Sequence, residues 1–252
     1  MSSANVPWKV RSALLSFLTE DFVVQKCRQL PSRRNIVLHI TGTFSSTHHT
    51  SEIVVKWFQQ PGIANEVQML RDAYSRRIPV PFVIGSTAHV LLMHFVPGEN
   101  LCDLITAEPK SRYGILLGTW LASYHQAFQR NSHPEKVLLK GDARIRNFIC
   151  NGSVLVGVDF EECVVGHYLQ DLASACASIL DTDPLFTPKK LILCRTLLER
   201  YSLTRRISNP SQLVQEAVPV IIDTLKMTAN RRGNPPILLT HIHQFEEGAL
   251  HF

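Results

Sequence analysis

Apolar positions in the first hundred residues are grouped in short runs that predict strands. The runs cover 35–40, 52–58 and 90–96, and each has a length and composition typical of a strand. Helical spacing occurs in two other places. A helix is predicted over 7–18, where a proline suits the first turn. A second helical stripe follows the turn-forming pair at 61–62 and consists of Ile63, Val67, Leu70 and Tyr74.

The second half of the chain carries mainly helical patterns. One face of a predicted helix is formed by Leu117, Trp120, Leu121, Tyr124 and Phe128. Further helices are predicted after Asp171, from Pro188 to about Tyr201, and over 210–231 with a kink at Pro219. The segment 241–243, which has two histidines in alternation, is predicted to be a strand or an extended tail.

The pair Asn151-Gly152 lies between two short apolar runs. This arrangement is the strongest local signal for a tight hairpin. Because a hairpin turns the chain back on itself, Asp159 is expected to lie near Asn147 and Asp142. An Asp and an Asn side by side suit a hard cation such as Mg²⁺, which prefers oxygen ligands. A second carboxylate close by could accept a proton from an attacking hydroxyl.

The spacing of these residues also carries a resemblance to a known family. Asp142 and Asn147 are separated as in the catalytic loop of protein kinases, and Asp159 is followed by Phe as in their metal-binding motif. Protein kinases have Arg where this chain has Gly141, and Gly where it has Glu161. With these differences, and with Asp171-Leu172-Ala173 downstream, the chain resembles the aminoglycoside phosphotransferase and choline kinase branch of the protein-kinase-like superfamily.

The resemblance implies an α+β, bilobal protein-kinase-like fold. A small β-rich N-lobe is expected over 1–97, and a mostly helical C-lobe over 98–252. The interval before Asp142 looks too short for the helical insertion that helps build the acceptor pocket in aminoglycoside and choline kinases. In this respect the chain is more similar to RIO kinases, so the acceptor site is expected either in the last 80 or so residues or on an open surface.

By the same resemblance, four residues of the C-lobe have assigned roles in phosphate transfer. Asp142 would be the catalytic base, and Arg144 would hold the γ-phosphate. Asn147 and Asp159 would bind Mg²⁺. Asp171 would brace the catalytic loop. Taken singly, an Asp or Asn is also a common turn or capping residue, and it is their joint spacing that favours the catalytic interpretation.

Lys56 is the central candidate in the N-lobe, because it interrupts an apolar strand. A lone lysine in such a strand is often an outward-facing edge charge. Glu66, however, borders the buried face of the following helix, where a carboxylate needs a cation. The two residues would form the Lys–Glu ion pair that positions the ATP phosphates in kinases.

Two other N-lobe segments are expected to contact the nucleotide. The small, hydroxyl-rich stretch 41–47, with Gly42, would offer backbone N–H groups to phosphate oxygens; a plain hairpin loop is an equal alternative. The strand before Pro97 resembles the hinge of the phosphotransferases. Met93 would lie behind adenine, while the His94 carbonyl and the Val96 N–H would bond its edge.

Composition narrows the class of protein without naming the acceptor. The 252 residues are 45% hydrophobic and 19% charged, with a formal net charge of +5, as in an ordinary globular protein with a preference for anionic partners. There is no signal-peptide order at the N-terminus and no apolar run long enough for a membrane span, so a cytoplasmic protein is expected.

The sequence therefore predicts a kinase that transfers the γ-phosphate of ATP, with Mg²⁺, to a hydroxyl acceptor such as a small molecule, a sugar or RNA. An anionic acceptor is mildly favoured by the net charge, and nucleic acid is one option. Two alternatives remain, a RIO-like protein kinase and a pseudokinase that acts as a nucleotide-binding scaffold. Lys140, which stands where the family usually has His, motivates the pseudokinase alternative.

Overall fold

The computed structural model describes residues 12, 16–18, 21–32, 34–59, 63–130 and 133–252. Most of the helix predicted over 7–18 and the turn predicted at 61–62 lie outside these residues. The chain divides into two compact units. Unit 1 comprises Met1–Ser75 with Val80–Val96, and unit 2 comprises Arg76–Pro79 with Pro97–Phe252. The short segment 76–79 belongs to unit 2 because Arg76 donates to the Ala127 carbonyl at 2.8 Å and Trp120 donates to the Pro79 carbonyl at 3.0 Å.

Unit 1 is built on a five-stranded antiparallel sheet with the order β1-β2-β3-β5-β4. Its core consists of the inward-facing residues Leu38, Ile40, Ile53, Val55, Val90 and Leu92. The strands are β1 (Phe22–Leu30), β2 (Ile36–Phe44), β3 (Thr50–Trp57), β4 (Val83–Ser86) and β5 (Val90–His94), and the helix α1 (Ile63–Ser75) follows β3.

Two features of this sheet differ from the sequence-based expectation. Strand β1 was not predicted, because as an edge strand it carries polar residues among its apolar ones and has no clear alternation. The loop predicted over 41–47 is shorter, since β2 extends to Phe44. Gly42 fits inside that strand because it has no side chain: a Cβ there would lie 2.3 Å from the ring of Phe22.

Unit 2 contains the remaining helices and two small three-stranded sheets, with the orders β10-β9-β6 and β11-β8-β7. Its helices are α2 (Leu101–Ala107), α3 (Ser111–Ala127), α4 (Leu169–Leu180), α5 (Pro188–Arg205), α6 (Pro210–Arg231) and α7 (Pro236–Glu246). Its strands are β6 (Glu99–Asn100), β7 (Gln129–Arg130), β8 (His133–Leu139), β9 (Phe148–Asn151), β10 (Val154–Gly157) and β11 (Val164–His167).

The central packing of unit 2 is between α3 and α5. Gly114 and Gly118 face α5 so closely that a Cβ would lie 2.6 Å from the Leu193 carbonyl oxygen and 2.4 Å from that of Leu197, respectively. Two glycines one helical turn apart therefore allow the backbones to approach. Tyr124 and Tyr201 are fully buried on these two helices.

The end of the chain corrects one prediction. Residues 241–243 belong to helix α7, not to a strand or an extended tail. Leu238, Ile242 and Phe245 are buried at helical spacing, and Pro236 occupies the first turn, so the apolar period outweighs the apparent alternation of the two histidines. In α6, Pro219 lies within one continuous helix. None of the described helices is both long and apolar enough to span a membrane.

Candidate active site

The predicted hairpin forms and returns the chain to the catalytic stretch. Strands β9 and β10 pair antiparallel from Asn151↔Val154 to Phe148↔Gly157, so the tight turn consists of Gly152 and Ser153. Gly152 has a left-handed φ of 60°, which suits glycine at this position. One residue beyond β10, the Val158 N–H donates to the Asn147 carbonyl at 2.9 Å. The hairpin therefore places the segment that leads into Asp159 directly beside Asn147.

Lys140 joins the two chain segments that carry the predicted carboxylates. Its side chain is completely buried. The ammonium group donates to the Asp142 carbonyl at 3.0 Å and to the Asp159 carbonyl at 2.8 Å. It also lies over the ring of Phe160, 5.1 Å from the centroid. One cation thus fixes the backbone of the predicted base and the backbone of a predicted metal ligand relative to each other.

The burial of Lys140 has an electrostatic consequence. Desolvation lowers the pKa of its ammonium group, and the carboxylates of Asp159, Asp142 and Asp171 oppose that change. In the sequence, Lys140 differs from the resembled family's pattern, which usually has His at this position. Its role as the tie between two loops became visible only in the structure, because sequence does not show where a long side chain ends.

Asp171 holds the start of the catalytic stretch through hydrogen bonds to its backbone. Its carboxylate, 1% exposed, accepts the N–H of Lys140 at 2.7 Å and the N–H of Gly141 at 3.0 Å. His125 Nε2 is 3.0 Å from the same carboxylate, and its Nδ1 is 2.9 Å from the Tyr201 hydroxyl. Burial raises the pKa of Tyr201, which keeps that hydroxyl protonated. Tyr201 and His125 are therefore linked by hydrogen bonds to Asp171, and this buried series of three side chains braces the loop.

Gly141 is required at its position by backbone geometry. Its φ is +83°, and a Cβ would lie 2.0 Å from the Glu162 carbonyl oxygen. The place where protein kinases have Arg therefore admits no side chain in this protein. Asp159 also has a left-handed φ, 64°, which is uncommon for a residue other than glycine and is often found at functional sites.

The side chain of Asp142 lies against two arginines. Arg144 Nε is 3.0 Å from Oδ1, and Arg146 Nη2 is 3.5 Å from Oδ2. Both contacts are partly exposed; Arg146 lies in a short 3₁₀ turn, Ile145–Asn147, and Arg144 immediately precedes it. Positive charge is thus concentrated beside the predicted base, where negative charge would develop on a transferring phosphate.

Asn147 and Asp159 offer a donor set that fits a magnesium ion. Asn147 is buried, and its Nδ2 donates to the Asp142 carbonyl at 3.0 Å, so Oδ1 is the atom that could ligate a cation. The Asp159 carboxylate supplies the second kind of oxygen. Amide and carboxylate oxygens are the ligands that Mg²⁺ takes in proteins.

In unit 1, Lys56 and Glu66 form a buried ion pair. Lys56 Nζ donates to Glu66 Oε2 at 2.8 Å, and the two residues are 6% and 1% exposed. Lys56 lies on β3 and Glu66 in the first turn of α1, so a strand and the helix after it hold the pair together. The outward-facing alternative for Lys56 is therefore excluded.

The other predicted nucleotide contacts lie in unit 1. Gly42 pairs with Ser51 within β2–β3. Met93 is buried on β5. His94 ends that strand with an exposed side chain, and Val96 follows two residues later. Their proposed contacts with a nucleotide remain predictions.

Comparisons with known proteins bear on the fold. No protein-family model matches the chain, and no curated protein matches it by sequence. Among solved structures, ethanolamine kinase of Plasmodium vivax is similar at a TM-score of 0.63 and 12% identity, over 79% of this chain and 73% of that one. The amicoumacin kinase hAmiN, in a complex with AMP-PNP and Ca²⁺, is similar at a TM-score of 0.61 and 13% identity, over 96% and 93% of the two chains.

An aminoglycoside phosphotransferase, APH(2'')-IIa in a complex with streptomycin and ATP, is similar at a TM-score of 0.59 and 15% identity, over 88% of this chain and 89% of that one. At these identities the likeness concerns the fold. The chain therefore has the α+β fold of these kinase structures, which confirms the fold predicted from its motifs.

Proposed function

We propose that this protein is a Mg²⁺-dependent phosphotransferase that moves the γ-phosphate of ATP to a hydroxyl acceptor. The observation that carries the proposal is the Lys140 contact, which holds Asp142 and Asp159 together beside Asn147. The similar solved structures include complexes with AMP-PNP and with ATP, which supports ATP as the donor.

In this proposal Asp142 is the general base. It takes the proton of the acceptor hydroxyl as the hydroxyl oxygen bonds to the γ-phosphorus of ATP. The bond between that phosphorus and the oxygen bridging to the β-phosphate breaks, and ADP leaves. Arg144 and Arg146 lie beside the Asp142 carboxylate, where their guanidinium groups stabilise negative charge on the transferring phosphate.

Nucleotide and metal binding are assigned to the remaining residues. Lys56, oriented by Glu66, would neutralise charge on the ATP phosphates. Asn147 and Asp159 would hold Mg²⁺, which supplies charge neutralisation on the phosphate oxygens when it is bound. Gly42, Met93, His94 and Val96 are proposed as further nucleotide contacts, and a cytoplasmic location, where ATP and Mg²⁺ are abundant, is part of the same proposal.

The test is transfer of label from γ-labelled ATP to a panel of acceptors, with and without Mg²⁺. Asp142→Ala should abolish transfer and leave ATP affinity nearly unchanged, because its carboxylate acts on the acceptor. The matched control is Asp223→Ala, which removes an exposed carboxylate on α6. An Asp142→Ala rate equal to that of the wild type would refute the assignment. ATP binding with no transfer by the wild type would favour the pseudokinase alternative, and transfer to protein substrates alone would favour a RIO-like kinase.

A further inference from the structure

An arginine-lined cavity opens beside the catalytic stretch in unit 2. It has a volume of about 170 Å³, and its wall includes Arg144 and Arg146 at the 3₁₀ turn and Arg231 and Arg232 at the C-terminal end of α6. Asp181, just after α4, is the one carboxylate in the lining. We infer that this cavity binds the acceptor and that the acceptor is a small anionic polyol, of which a sugar phosphate is the simplest example. The assignment of this ligand as the acceptor rests on the proposed function. Its assignment as an anion rests on the lining of the cavity alone.

The charge balance of the lining favours an anion. The lining contains four arginines and one carboxylate, Asp181, which pairs with Arg232 at 2.7 Å. Arg144 and Arg146 both pair with a second carboxylate, Asp142, so four arginines against two carboxylates leave an excess of positive charge. Arg231 has no carboxylate partner among the residues that the structure describes. A cation at a helix C-terminus also interacts favourably with the helix dipole, which would account for Arg231. Arg144 and Arg146 come from a different part of the chain, where both pair with Asp142.

The chemistry of arginine narrows the anion to one with several oxygens. Guanidinium groups bind phosphate and carboxylate through paired N–H donors and recognise planar or forked oxygen groups better than lysine does. A cationic acceptor, such as an amine or a quaternary ammonium compound, would face net positive charge in this cavity. The lining has no aromatic side chain that could stabilise such a cation.

The uncharged part of the lining suits an acceptor with several hydroxyl groups. The hydroxyls of Thr182, Thr224 and Thr228 each donate to a backbone carbonyl one helical turn earlier. A threonine hydroxyl has one donor and two acceptor sites, so these three hydroxyls keep their acceptor sites available to a ligand. Donors on the arginines and acceptors on the threonines together match a phosphate on one part of the ligand and hydroxyls on another.

The position of the cavity connects it to the chemistry. Arg144 and Arg146 belong to its wall and also contact the carboxylate of Asp142 at 3.0 and 3.5 Å. Arg144 and Arg146 therefore connect the cavity directly to the proposed base. The volume is below the roughly 300 Å³ typical of sites for drug-sized ligands, which favours a small metabolite.

The experiment is calorimetric binding to the full chain without ATP, using three matched pairs: glycerol 3-phosphate with glycerol, ribose 5-phosphate with ribose, and glucose 6-phosphate with glucose. Choline serves as the cationic probe. At least one phosphate-bearing member should bind, and its parent alcohol and choline should not. Arg231→Gln should weaken that binding about tenfold or more, as expected for loss of one charge-assisted contact. Asp181→Asn should tighten it, because the opposing charge is removed.

The control variant is Arg195→Gln, which removes an exposed arginine of α5 that pairs with Glu199 outside the cavity. Its affinity should stay within about twofold of the wild type. Equal binding of both members of every pair, preferential binding of choline, no binding of any probe, or equal effects of Arg231→Gln and Arg195→Gln would each overturn the inference. Thermal unfolding of each variant serves as the check that the variant protein is folded.

A second readout separates this inference from the proposed function. The bound probe is tested as an acceptor with γ-labelled ATP and Mg²⁺. Arginine-dependent binding followed by label transfer supports both statements. Arginine-dependent binding with neither transfer nor ATP binding supports the anion site and contradicts the phosphotransferase. Transfer to neutral or cationic acceptors, unaffected by Arg231→Gln, supports the phosphotransferase and contradicts the anionic acceptor.

Discussion

Replacement of Asp171 by asparagine tests how the catalytic stretch is held. The native carboxylate accepts three hydrogen bonds, from the Lys140 and Gly141 N–H groups and from His125. An asparagine keeps the shape but has one acceptor oxygen. In the better orientation, that oxygen keeps the contacts of Oδ2 with Lys140 and His125. The amide nitrogen then faces the Gly141 N–H, so two donors oppose each other.

The magnitude follows from these contacts. Loss of the Gly141 bond, with its N–H left facing a donor, costs about 1–3 kcal/mol. The two bonds that remain change from charge-assisted to neutral, which weakens them by about 1 kcal/mol more. We expect the free energy of unfolding to fall by about 2–4 kcal/mol, a large part of the roughly 5–15 kcal/mol of an ordinary domain.

Urea unfolding measures this change, and hydrogen exchange measures it locally. Asp223→Asn is the matched control, because Asp223 is exposed on α6 and its replacement should change stability by less than about 0.5 kcal/mol. The amides of Lys140 and Gly141 should exchange faster in Asp171→Asn alone. Equal stabilities for the two variants, or unchanged exchange at both amides, would show that Asp171 does not hold the loop.

Four further outcomes are expected from the same structure. Lys140→Met removes both carbonyl contacts and should lower the free energy of unfolding by about 1–3 kcal/mol in urea; a neutral result would mean that relief of the buried charge balances the lost bonds. In a double-mutant cycle, Lys56→Met and Glu66→Gln should show a coupling energy above about 1 kcal/mol, whereas additive effects would contradict a stabilising ion pair. Gly141→Ala should lower the melting temperature well beyond Gly152→Ala, because both have left-handed φ but only the first meets a backbone oxygen, at 2.0 Å, with nothing within 4 Å of the second; equal shifts would argue against that contact. Burial raises the pKa of Asp181 above its ordinary 3.8, so its neutral form stabilises the fold at low pH and that contribution is lost as pH rises through the raised pKa. Relative to the wild type, Asp181→Asn should therefore gain stability in urea unfolding as pH rises through the raised pKa of Asp181, and a constant difference would refute the shift.

The elements that were predicted well have strong local signals. The Asn-Gly pair, the apolar stripe after Asp171 and the run around Lys56 each indicate one kind of element over a few residues, and the hairpin, α4 and β3 are found there. Strand β1 and helix α2 were missed, since β1 is polar along an edge and α2 spans only Leu101–Ala107. The strand expected at 241–243 was wrong because a two-histidine alternation is a weaker signal than the apolar spacing of the whole segment.

Part of the candidate site could be predicted from the sequence, and part of it only the folded structure shows. Spacing along the chain identifies Asp142, Asn147 and Asp159, because a tight hairpin makes sequence distance a good guide to spatial distance. Local sequence says nothing about contacts between residues dozens of positions apart. The brace from Asp171 to Gly141 and the presence of Arg231 and Arg144 in the wall of one cavity depend on how the elements of unit 2 pack. Those contacts arise from burial and from the need to satisfy buried polar groups, which the folded chain as a whole must meet.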